Sequence, residues 1–350
     1  VTGRDESLLS VWARRAVSIP LYLLLAVLAV VTAPIWAAAG LGWDALAGEV
    51  RRRPRTRALA FFALYLVCEA AGVFVATGIW IVTLGERPGG RRWIELNAAL
   101  QRRWADALFF GSVRIFSMRV WTEGLELARS GPFLLFVRHA SLADTVLAAV
   151  FVANPNRFLL RYVLKRELLW DPCLDVVGRR LPNAFVNRRG PGLDAEVAAV
   201  ARLAEGLDAR SAVLIYPEGK RFSERRRQEA LASLRKRGLD ELAAIAGEFR
   251  HLLPPRLRGP LALLDAAPGV DVVLLEHTGF EGASSFAEFW KGSLVGGSLR
   301  VRLRRIPAAA IPAQGRDRWL FEKWAEMDRW ISQVQAAGAA QAADPAGSEA

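Results

Sequence analysis

Three histidines, two cysteines, two methionines and four tyrosines are spread over 350 residues. Two cysteines, Cys68 and Cys173, make neither a disulfide framework nor a metal cluster, and both read as free thiols of a reducing compartment. No metal site is expected. With so few histidines, the search for a base working near neutral pH reduces to His139, His251 and His277. Internal repeats are also missing. Lysine is scarce, and arginine supplies almost all of the positive charge behind a formal net charge of +12. Arginine forks suit phosphate groups. Hydrophobic residues make up 53% of the chain, so this basic protein points to an anionic membrane surface rather than to nucleic acid.

Charge is absent from Ala16 to Trp43, and from Ala58 to Gly85 only Glu69 interrupts an apolar run. About 20 apolar residues span a bilayer core, so both runs are long enough. The first is too long for a secretory signal and has no convincing small-residue cleavage site. Between them lies Arg51-Arg52-Arg53-Pro54-Arg55-Thr56-Arg57, a short basic link that makes the pair a hairpin. Pro34 and Gly40 are expected to kink the first helix or end it early. Arg14, Arg15, the Arg51 cluster, Arg87, Arg91 and Arg92 flank every end, so charge bias does not fix an orientation. Two spanning helices, or a hairpin dipping into one leaflet with its basic ends on one face, both fit, and Glu69 favours something other than a plain span. Residues 1–90 are therefore expected to form a membrane-associated helical hairpin, 91–335 an α/β domain, and 336–350 a disordered Ala/Gly/Gln tail.

Beyond residue 91 the pattern alternates. Phe133–Val137, Phe158–Leu164, Ala212–Tyr216, Val270–Leu275 and Leu299–Leu303 read as strands. Ser141–Val152, Leu193–Leu207 and Trp319–Val334 read as helices. Such alternation predicts a mixed sheet flanked by helices.

The chemistry gathers where these strands end. His139 follows the first strand, and Asp144 sits in the first turn of the next helix, close enough to hold the imidazole tautomer and stabilise the imidazolium. Taken alone, the pair fits equally a loop histidine beside a capping aspartate. Ser141 is expected to be a helix cap and not a nucleophile. Tyr216-Pro217-Glu218-Gly219-Lys220-Arg221 follows a second strand, its Pro and Gly forcing a tight turn at a strand-end crevice. Gly178 to Arg189 and Leu253-Pro254-Pro255-Arg256-Leu257-Arg258-Gly259 add basic loops. Singly, each is an ordinary solvated turn.

In this order, the four segments resemble the blocks of the glycerolipid acyltransferase family, which includes the 1-acylglycerol-3-phosphate and other lysophospholipid acyltransferases. His139 and Asp144 match its His-x4-Asp block. Phe185-Val186-Asn187-Arg188 is similar to its second block, Tyr216 to Arg221 to its Phe-Pro-Glu-Gly-Thr-Arg block, and Pro255 to Gly259 to its proline-centred fourth. The resemblance runs from about Trp121 to Trp330. It departs at Tyr216 for Phe, at Lys220 for a small hydroxyl residue, at Asn187, and at an insert from Phe222 to Phe249. These departures bear on the acceptor rather than on the reaction class.

The resemblance implies an O-acyltransferase with His139 as general base, Asp144 orienting it, and Arg188, Glu218, Gly219, Lys220, Arg221 and Pro255 binding substrate. It implies a lysophospholipid acceptor such as 1-acylglycerol-3-phosphate, an acyl-CoA or acyl-ACP donor as co-substrate, no separate cofactor, and membrane lipids as surroundings. A glycolipid or an amino-acid-containing lysolipid is the alternative acceptor. A thioester hydrolase or a purely lipid-binding protein would be told apart by acyl transfer itself. A bacterial inner membrane, with the site at its cytoplasmic interface, is the expected location.

Overall fold

The computed structural model describes residues 6–86, 88–141, 143–186, 193–283 and 285–343. The N-terminal region is helical throughout. Helix α1 spans Leu8–Val31, with Ser7 accepting from the Ser10 N–H at 3.2 Å. It stops at Val31, and α2, Ala33–Leu46, restarts with Pro34 in its first turn, where a missing N–H costs nothing. Gly40 does not break the helix. A Cβ there would come within 3.1 Å of the Thr56 hydroxyl, so glycine lets α2 lie close on α3, Pro54–Val82. Asp44 of α2 caps α3, accepting from the backbone N–H of Arg55 at 3.1 Å and Thr56 at 3.0 Å.

Two helices, Leu8–Val31 and Pro54–Val82, are long and apolar enough to cross a membrane, by length and composition. Several of their polar residues meet partners elsewhere in the chain. Glu69 accepts from the Trp104 indole N–H at 2.8 Å and from the Cys173 N–H at 3.0 Å. The Tyr65 hydroxyl donates to Asp171 at 2.7 Å. Arg14 and Arg15 each reach buried Asp175 at 2.8 Å. A charge in an otherwise apolar run is thus explained by a docking seam against the loop following the third strand. Arg14 and Arg15 serve that seam, which weakens them as orientation signals.

Helix α4, Arg91–Phe116, packs on α3 and joins the α/β domain; no element is expected there from sequence. The domain is built on seven strands: β1 Arg119–Glu123, β2 Phe133–Val137, β3 Leu159–Lys165, β4 Ala184–Val186, β5 Ser211–Ile215, β6 Asp271–Thr278 and β7 Ser298–Ile306. Their order is β1-β7-β6-β2-β5-β3-β4. All neighbouring pairs are parallel except β6 with β7, so the sheet is mixed, as the alternation predicts. Strand β2 is buried on both faces. Leu134 and Phe136 point to one core with Val213, Leu274 and Trp324, while Phe133, Leu135 and Val137 point to the other with Phe109, Phe116 and Phe151.

The insert Phe222–Phe249 folds as two helices, Glu224–Lys236 and Asp240–Gly247, whose Leu231, Leu234, Leu242 and Ala246 cover the first core. The C-terminal helix runs Arg316–Ala343, past the expected start of a disordered tail at 336, because alanine is the strongest helix former. Residues 344–350 lie outside the described residues.

Close packing at the seam gives a test. A Cβ at Gly72 would stand 2.2 Å from Cys173 Sγ. Gly72→Ala should destabilise the protein by about 1–3 kcal/mol in thermal unfolding. Adding Cys173→Ala should recover most of that loss, and simple additivity of the two changes would refute the contact.

Candidate active site

The five strands β6, β2, β5, β3 and β4 run in one direction, and their C-terminal ends form the rim that carries the polar residues. Such rims are where open α/β sheets bind ligands. His139 leaves the end of β2 two residues after Val137. Its Nδ1 lies 3.1 Å from Asp144 Oδ1. The other oxygen, Oδ2, accepts the backbone N–H groups of Ala140 at 2.6 Å and Ser141 at 2.7 Å. Asp144 is fully buried, so its four-residue reach back along the chain closes a rigid loop around the imidazole. A carboxylate only accepts, so His139 presents Nδ1–H to it and keeps the Nε2 lone pair for chemistry. Ser141 is buried and accepts from the Ala143 N–H at 3.0 Å, the turn-capping role expected of it.

The helix that follows is not the uniform α-helix expected from Ser141 to Val152. It is wound tightly over Ala143–Val146, widens to a π-helix over Ala149–Ala153, and ends in a short α turn containing Pro155. Proline has no N–H for the carbonyl four residues back, and the wider winding sits directly before it.

Glu218 forms the second anchor. Tyr216, Pro217, Glu218 and Gly219 turn sharply after β5, with Gly219 N–H donating to Tyr216 O at 3.0 Å. Gly219 has φ 68°, and a Cβ there would meet Arg256 Cδ at 2.9 Å, so both conformation and space demand glycine. Glu218 is 2% exposed. One carboxylate oxygen accepts the His139 N–H at 2.8 Å and the other the Leu253 N–H at 3.0 Å. Each oxygen thus accepts a backbone N–H, and Glu218 holds two chain segments together. Burial pushes its carboxyl up to about 8, against the opposing pull of the two N–H groups and Arg138. The Tyr216 ring packs against the His139 ring, with centroids 4.8 Å apart.

Pro255 belongs to a buried loop, Leu252 to Pro255, that lies against this turn, and Arg256 N–H donates to Pro217 O at 2.8 Å. Lys220 and Arg221 continue from Gly219, half-buried, towards the helix Glu224–Lys236, where Arg226 donates to Arg221 O at 3.0 Å. The structure therefore brings together His139, Asp144, Glu218 and Gly219, with Pro255, Lys220 and Arg221 on adjoining stretches. Arg188 lies outside the described residues.

Sequence reasoning passes over a buried layer behind the dyad. Arg138 is 1% exposed, and its guanidinium donates to His277 O, to His251 O at 3.2 Å and to Glu281 at 2.5 Å. Burial alone would raise Glu281, but Arg138 outweighs it and holds the carboxyl down at about 2. His277 lies beside Asp144. His251 faces away, its Nε2 3.1 Å from the Ser332 hydroxyl. The only available signal was a charged residue, Arg138, directly after a strand buried on both faces. Among the described residues no group of His, Cys, Asp and Glu could hold a metal ion.

Residues 119–254, which include both anchors, match the family model named Acyltransferase. No curated protein matches the sequence significantly. Among solved structures, the 1-acyl-sn-glycerophosphate (LPA) acyltransferase PlsC from Thermotoga maritima is similar in fold, with a TM-score of 0.53. The likeness covers 80% of this chain and 96% of that one at 16% identity. The Acyltransferase pattern thus lies across β2 and β5, where the dyad and its staple sit, within a fold similar to that of the Thermotoga protein.

Proposed function

We propose that the protein moves a fatty acyl group from a thioester to the hydroxyl of a lysophospholipid, with His139 as general base. The carrying observation is the His139–Asp144 pair, fixed by backbone N–H donors at a strand end. His139 Nε2 takes the acceptor's hydroxyl proton as the oxygen attacks the thioester carbonyl. The tetrahedral intermediate collapses, the C–S bond breaks, and the thiolate takes the proton back from the imidazolium. Asp144 stabilises the charged ring between these steps. No acyl-enzyme forms, and Ser141 stays a structural cap.

Glu218 acts here as a positioning residue. Arg188, Lys220 and Arg221 form the proposed grip on the acceptor's phosphate, with the Gly219 turn letting the backbone approach it closely. Acyl-CoA and acyl-ACP both carry the required thioester. Lys220, in place of a small hydroxyl residue, adds a cation to that region and keeps a glycolipid or amino-acid-containing lysolipid in the acceptor panel.

The membrane reading rests on α1 and α3 and on the exposed apolar side chains around them. Leu46 is 92% exposed, Phe286 65% and Trp43 56%, beside the arginines that join α2 to α3. Apolar and aromatic residues next to a basic cluster suit the headgroup region of an anionic bilayer, such as the cytoplasmic face of a bacterial inner membrane. Acyl chains and lysolipid then reach the site without crossing water.

Purified protein given a labelled acyl-thioester and a panel of lysophospholipids should acylate one class of acceptor. His139→Ala should lower kcat by roughly 100- to 10,000-fold. An equally active His139→Ala enzyme would remove the base from this assignment. Glu218 gives a second outcome. Its folded-state pKa is raised, so its contribution to stability is complete below about pH 4.5 and is lost as pH rises through about 8. The thermal midpoint of the wild type should therefore fall across that window more steeply than that of Glu218→Gln, and parallel curves would show that Glu218 does not titrate there.

A further inference from the structure

The mechanism leaves one buried imidazole without a task. His277 ends β6 fully buried. Its Nε2 stands 3.2 Å from Arg138 O and 3.6 Å from Asp144 Oδ2. A carbonyl oxygen can only accept, so Nε2 carries the hydrogen, and that hydrogen lies between the carbonyl and the carboxylate. Nδ1 is then a bare lone pair, buried and without a partner. An unsatisfied buried acceptor is unfavourable, and an apolar ring would fill the same space without that cost. What such a ring would lack is the N–H.

Asp144 thus stands between two imidazoles, with His139 on Oδ1 and His277 towards Oδ2. The charged groups facing His277 are Asp144 from the turn after His139, Arg138 from the end of β2, and Glu281 from the turn after β6. Arg138 pins the His277 carbonyl and pairs with Glu281, which fixes the backbone that carries the ring. Burial pushes the His277 imidazolium down to about 4, so the ring is neutral throughout the range in which His139 would act.

We propose that His277 is a positioning residue for the dyad: its Nε2–H partly neutralises Asp144 and so sets how strongly that carboxylate favours the charged form of the His139 ring. This rests on reading His139 as the base, and it adds a residue outside the matched blocks. The sign follows from the charges. With the N–H removed, Asp144 acts on His139 as a fuller negative charge, the imidazolium is favoured, and the His139 midpoint rises.

The test uses the full chain in detergent with nitrogen-labelled histidine, whose three residues give three assignable imidazoles. In the wild type, His277 should show the neutral tautomer protonated on Nε2. In His277→Phe, the His139 titration midpoint should rise by roughly half a pH unit or more, the scale of one N–H dipole removed from beside a carboxylate. His277→Gln, which keeps an N–H near the same place, should bring it back. The acid limb of kcat/KM should move with these midpoints. A wild-type His277 protonated on Nδ1, or a His139 midpoint unmoved in His277→Phe, overturns the proposal. If His277→Phe does not fold, the wild-type tautomer decides alone. If the wild type transfers no acyl group to any acceptor, the functional reading fails, while the tautomer and the titration still judge the His277–Asp144 link.

Discussion

One buried carboxylate ties the site together. Glu218 receives an N–H from the end of β2 on one oxygen and an N–H from the proline loop on the other, while its own backbone sits in the turn after β5. Three segments far apart in sequence are thereby fixed to one another at the rim of the sheet. The parallel pairing of β2 with β5 and β6 brings these ends side by side, and the carboxylate sets their remaining freedom. The His139 ring inherits its position from this staple through its own backbone, and its orientation from Asp144. Both contacts are short and buried, so the ring has little freedom to move.

Much of this was legible in the sequence, and the parts that were not had physical reasons. Strands buried on both faces, such as Phe133–Val137 and Ser211–Ile215, are continuous apolar runs and stand out. Edge strand β1 is exposed and carries Arg119, Thr122 and Glu123, and β4 has three residues; neither gives a run or an alternation long enough to see. Helix α4 mixes arginines among its apolar positions because it is buried on one face only. The dyad was readable because five residues separate its members. The role of Glu218 was not, since a motif gives no sign of whether a carboxylate faces substrate or backbone. Arg138 meets His277 and Glu281 only through the fold, across more than a hundred residues.

The same holds at the N-terminus. Glu69 looked like an interruption in a membrane run and is a hydrogen-bonded contact with Trp104 and Cys173. Arg14 and Arg15 looked like flanking charges and are partners of Asp175. Apolar patterning identified the helices, while the few polar residues within and beside them record which side meets the rest of the protein.

That seam has a bearing on how the protein can be dissected. Residue 90 looks like a natural place to cut, yet cutting there would uncover Asp171, Asp175 and the Cys173 N–H, each matched to a group on α1 or α3. Water would take over the freed polar groups, but the apolar side chains beside them would have no such substitute. A shortened chain would therefore lose more than two apolar helices: it would bare greasy side chains packed beneath them, prone to collapse or clumping. The helices at the front of this protein are as much a wall of the α/β domain as a hairpin in their own right.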